Sequence, residues 1–150
     1  MESFSIRIRH NDIVYAVRNK THKTSKSSGL KDARIESNMQ ADDTPQDTRI
    51  VNDSMSKAIG NVMRELSKYI SSTETSSEDF TIVTFTMPST WRDTNKTGLV
   101  DDIYNYIVDF TVSEFFTFAR NYDDAKQYMA TAVAELANAK KKLYDKKSSI

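Results

Sequence analysis

Three adjacent aspartate pairs, Asp42-Asp43, Asp101-Asp102 and Asp123-Asp124, and two histidines, His10 and His22, are the residues whose types suit acid–base or metal chemistry. Two carboxylates act as general acid and base only at a set distance in space, which sequence spacing does not give. Each pair stands at or just before an expected helix start. There a carboxylate satisfies free N–H groups and complements the helix dipole, so capping accounts for all three. The histidines have no carboxylate or second histidine at ligand spacing and are expected to face solvent. With no cysteine in the chain, disulfides and thiolate metal sites are excluded. Residues 24–31 are rich in Ser and Lys around Gly29 but lack the P-loop spacing, and Gly29, Gly60 and Gly98 are too far apart for a dinucleotide fingerprint. No serine has the strand–turn–helix setting of a nucleophile elbow. The expectation is a chain without enzymatic activity, cofactor or metal. A small enzyme built on Asp42, Asp101 and Asp123 is the reading against it: their replacement by Asn would abolish turnover, where capping predicts a loss of stability alone.

Cationic residues form the other chemical signal. Arg18, Lys20, His22, Lys23, Lys26, Lys31 and Arg34 make one basic stretch, and Lys140, Lys141, Lys142, Lys146 and Lys147 a second. Either suits phosphate contacts, and a nucleic-acid-binding regulator using the N-terminal stretch is the alternative function. Neither stretch is interleaved with aromatics, and 21 Lys and Arg balance 21 Asp and Glu overall. A neutral chain exerts no general pull on nucleic acid or anionic lipid. The charge is segregated, however: residues 1–40 carry +4, residues 41–126 carry −7 and residues 127–150 carry +3. Opposite poles favour contact between copies. The candidate subunit-contact residues are therefore Arg18, Lys20, Lys23, Lys26, Lys31, Arg34, Trp91, Lys146 and Lys147. Trp91, the one tryptophan, lies in a polar loop, where it either plugs back over the core or docks into a partner.

The elements that position these residues follow from periodicity. A length of 150 residues suits one domain burying about 70% of its unfolded surface. Residues 3–10 alternate apolar and polar as a half-buried strand, followed by a short helix fraying before Thr24. Residues 21–43 read as an extended polar arm, mobile in the free chain. Thr44-Pro45-Gln46-Asp47 is a strong helix start, and Val51, Met55, Ala58, Ile59, Val62, Met63, Leu66 and Ile70 carry a stripe to residue 71. Gly60 within it suggests a close helix crossing. Residues 71–79 read as a linker, and 80–87 as a second strand, apolar on both faces and ended by Pro88. No third strand is evident, so a neighbour's strand is one way to complete the sheet. Residues 99–147 form a helical hairpin. Its first helix is apolar nearly all round, hence central; its second carries an apolar stripe from Ala125 to Leu143, capped by Asn121 with Asp124 at the third position. The fold expected is mainly α with a small β element (α+β): a three-helix core ending in the hairpin, a short N-terminal helix and two strands. No run of eighteen apolar residues suggests a membrane span, and no signal peptide is visible.

This order of elements carries a likeness. Its residues are Val17-Arg18-Asn19-Lys20-Thr21-His22-Lys23-Thr24, Asp101-Asp102-Ile103-Tyr104-Asn105-Tyr106-Ile107-Val108, Phe115-Phe116, the stretch from Tyr122 to Tyr128, and Lys142-Leu143-Tyr144-Asp145-Lys146-Lys147. The pattern resembles small virion structural proteins of tailed bacteriophages and prophages from Bacteroides-type hosts, which form neck or head–tail connector rings. The resemblance implies a mainly helical, non-enzymatic protein that assembles as a homo-oligomeric ring, often twelve-fold. It further implies portal, adaptor or tail proteins as neighbours, and DNA passing through the lumen without sequence-specific contact. The location implied is the virion neck, with the host cytoplasm during assembly. The family offers no catalytic motif, so no functional residue carries over. The two regular strands depart from a purely helical adaptor. In this reading the polar arm and the C-terminal tail, residues 145–150, reach neighbouring subunits.

Overall fold

The structure, a computed structural model, describes residues 2–27, 40–76 and 79–146, without the side chains of 25–27, 75 and 76. Strand β1 (Glu2–Arg9) leads into helix α1 (His10–Ser27); then come helix α2 (Pro45–Glu65), strands β2 (Ile70–Ser76) and β3 (Phe80–Met87), and helices α3 (Lys96–Phe118) and α4 (Tyr122–Tyr144). Among the described residues the fold is mainly helical with one small antiparallel sheet, in the order β1-β3-β2. No described helix is long and apolar enough to cross a membrane.

Alternation in β1 turns Phe4, Ile6 and Ile8 inward and Ser3, Ser5, Arg7 and Arg9 outward. In β3 the inward set is Thr81, Val83, Phe85 and Met87. Phe80, Ile82 and Thr84 are half-buried on the outer face, covered by neighbouring strands. The Arg7 guanidinium lies 4.6 Å from the Phe80 ring centre, and hydroxyls pair across the strands at Ser3–Thr86 and Ser5–Thr84. The expected linker is in fact the third strand. Its sequence, Ile-Ser-Ser-Thr-Glu-Thr-Ser, lacks apolar alternation, and residues 71–74 are exposed.

Helix α3 is the centre of the molecule, as its all-round apolar character requires. Leu99, Ile103, Ile107, Val112 and Phe116 are buried, and α1, α2 and α4 all lie against it. On α4 the residues facing α3 include Ala125, Ala132 and Ala139, buried and seven apart, which lets the two axes approach closely. The hairpin joint is Ala119-Arg120-Asn121. Asn121 N–H donates to Phe116 O and Arg120 N–H to Thr117 O, the crossed pair of bonds that closes a helix with a left-handed residue between. That residue is Arg120, at φ 61°. The start of α4 is as expected, with the Asn121 side chain accepting from Asp124 N–H. So is the start of α2, where Thr44 accepts from Asp47 N–H and Pro45 takes the first turn.

Two boundaries move. Helix α1 does not fray before Thr24 but runs to Ser27, so the expected polar arm loses its first seven residues to helix. Tertiary partners hold that polar end. Buried Thr21 accepts from Ala41 N–H at 3.0 Å, and the Thr24 and Tyr128 hydroxyls meet at 2.8 Å. Residues 28–39 of the arm lie outside the described residues, and its end, 40–43, is described with Ala41 buried. Helix α2 stops at Glu65 rather than near residue 71; a 3-10 turn at Ser67–Tyr69 delivers Ile70 to the sheet, opposite Phe85. Gly60 makes no close crossing: a Cβ built there meets nothing within 4 Å.

Candidate functional site

The candidate contact residues separate into several places. On α1, Arg18 is half-buried, facing a recess shared with Asn19, His22, Ala41, Asp42 and Asp43, and Lys23 is exposed. Lys20 turns inward instead, donating to Asp109 Oδ1 at 2.5 Å. Lys31, Arg34 and Lys147, and the side chain of Lys26, lie outside the described residues. Trp91 is the plug and not an exposed docking ring. It is 3% exposed, stacked on Phe4 at 5.2 Å, and its indole N–H donates to Lys142 O. Lys146 comes to the same place, pairing its backbone with that of Trp91. Asp145 is tied there too, through Arg92 at 3.2 Å and Asn95 at 2.9 Å. This part of the tail therefore docks on its own chain.

The acid pairs also part company. Asp123 and Asp124 stand in the first turn of α4, as capping requires. Asp101 and Asp102 do not cap α3, which begins five residues earlier at Lys96 with no acid in its first turn. Asp102 instead forms an ion pair with Lys142, across the hairpin. Asp42 accepts from His22 Nε2 at 3.0 Å, and the same nitrogen is 3.2 Å from Ala41 O. His22 is thus half-buried and held, not turned to solvent. His10 Nε2 likewise meets Thr81 Oγ1 at 2.9 Å. Among the described residues no group of three His, Asp or Glu could hold a metal ion.

A different acid pair forms where three helices meet. Asp109, on the central helix between Val108 and Phe110, is 2% exposed. Glu135 of α4 faces it, with Oε2 buried and no donor in reach. Two carboxylate oxygens attract only when a proton lies between them. Desolvation, and then the hydrogen bond to Asp109 and that residue's charge, push the Glu135 carboxyl up to about 8; Lys20 works in the opposite direction, and Asp102 adds to the rise. Lys20 compensates the buried Asp109 charge from α1 and ties α1 to the central helix, with the raised Glu135 carboxyl of α4 beside them. A lone acid in the apolar run Ile107-Val108-Asp109-Phe110 was the available signal for this cluster, missed because that run reads as core.

At the hairpin joint a groove of about 790 Å³ lies between the start of α2 and the end of α3, lined by Asp42, Pro45, Asp47, Ile50, Phe115 and Arg120 among others. Phe118 on its rim is 64% exposed, and Tyr122, just across the joint, is 63% exposed. Bare aromatic rings beside an open groove form a surface suited to contact with another molecule. Comparison with protein-family models, with curated proteins and with solved structures finds no match to this chain.

Proposed function

We propose that the chain is a non-enzymatic structural subunit that works by contact between copies. The setting proposed is a ring at the neck or head–tail connector of a tailed-phage virion, between portal and tail, with DNA passing through its lumen. The observation that carries this reading is the hairpin corner, where Phe118 and Tyr122 stay exposed beside the open groove. Large apolar rings left in water at one place mark a surface that a second molecule covers. The segregated charge supports it, since a basic N-terminal portion and an acidic middle on one neutral chain attract when copies meet head to tail. The resemblance in element order and hairpin residues supplies the virion setting.

Mass is the test. Light scattering of the purified protein, alone and with candidate portal or tail proteins, is expected to show a discrete multimer in at least one case. A strict monomer in both overturns the proposal.

A further inference from the structure

Among the described residues, the two outer strands of the sheet have no strand along their outer edges. Among the described residues, no backbone hydrogen bond from another strand reaches the outer side of β1 or of β2, and at the start of β2 Ile70 gives its N–H to Ser67 O. Unpaired edges are templates for another strand, and proteins that keep them apart usually blunt them with like charges, proline or a covering loop. Here the charges differ between the edges. Glu74 is the one charged residue of β2. Strand β1 carries Arg7 and Arg9 outward, with Glu2 at its start.

Register makes the difference specific. Arg7 and Glu74 are both partnered to Ile82, one from each side, so the three form a row across one face of the sheet. Arg7 and Glu74 are exposed at the two ends of that row. Ser5 and Ser72 flank Thr84 in the next row in the same way. Both outer strands are antiparallel to β3 and so run parallel to each other. A second copy set beside the first in the same orientation lays its β1 along the first copy's β2. At the same level, the first copy's Glu74 then faces the second copy's Arg7, and Ser72 faces Ser5.

We propose that copies of this chain join edge to edge, β2 of one against β1 of the next, with Glu74 and Arg7 as the cross-strand ion pair that sets the register. The inference rests on the assembly reading above and names its contact. Such a contact is heterologous, leaving one edge free on each new copy, and it makes a ring where the rotation between copies closes.

Two charge reversals test it, Arg7→Glu and Glu74→Arg, measured by sedimentation or light scattering with circular dichroism as the check on folding. Alone, each sets like charges opposite each other and is expected to weaken self-association roughly tenfold or more. Mixed in equal amounts they restore opposite charges at every junction, so the multimer is expected to return. A wild-type multimer that survives both reversals overturns the edge contact and leaves the assembly reading standing. Dissociation by both without recovery in the mixture overturns the edge contact too. A wild type that is monomeric alone and with its candidate neighbours overturns both.

Discussion

At the scale of single residues, the raised Glu135 carboxyl beside Asp109 has a measurable consequence. Folding raises the Glu135 carboxyl from 4.5 to about 8, so the folded chain binds that proton more tightly than the unfolded one. The associated stability is complete below the unfolded value, declines as pH rises, and is gone above about 8. Thermal denaturation should therefore show a midpoint that falls over this window. Glu135→Gln should flatten the slope, because the amide donates to Asp109 without titrating, and should add about 1 kcal/mol above the window. An unchanged slope would place the proton elsewhere. The acids readable in the sequence were the adjacent ones, of which Asp123 and Asp124 stand at a helix start while Asp42 and Asp102 pair with His22 and Lys142. Asp109 and Glu135 are 26 residues apart, and only the hairpin brings them together.

At the scale of elements, the two loci of backbone freedom are exchanged. Gly60 lies in the middle of α2 with open space where a Cβ would go, and Arg120 holds the left-handed turn position of the hairpin that glycine favours. Gly60→Ala and Arg120→Gly should each stabilise by about 1 kcal/mol, read as a rise in the denaturant midpoint at constant slope. A loss in either would show that the residue serves a contact instead. What sequence revealed of the elements follows the same local logic. Thr44-Pro45 and Asn121 were legible because caps are short-range chemistry, and β1 and α3 because one strand face is buried and one helix is buried all round. Strand β2 was not legible, since its exposed serines and threonines have no face to mark. The polar end of α1 was not either: its order comes from Ala41 and Tyr128, contributed from other parts of the chain.

At the scale of the whole molecule, α3 supplies the axis, the other helices surround it, and the sheet forms an outer wall whose two edges are unpaired among the described residues. The hairpin corner and those edges are different surfaces, which is what a subunit with more than one neighbour needs. Trp91 gives this architecture an internal gauge. Its ring stacks on Phe4 of the first strand, its N–H is held by Lys142 of the last helix, and Lys146 pairs beside it. As the sole indole it reports, by fluorescence, on the junction of the chain's opposite ends. Its emission should shift to the red at the same denaturant concentration at which helical ellipticity is lost. An earlier shift would mean that the first strand peels away before the helices melt.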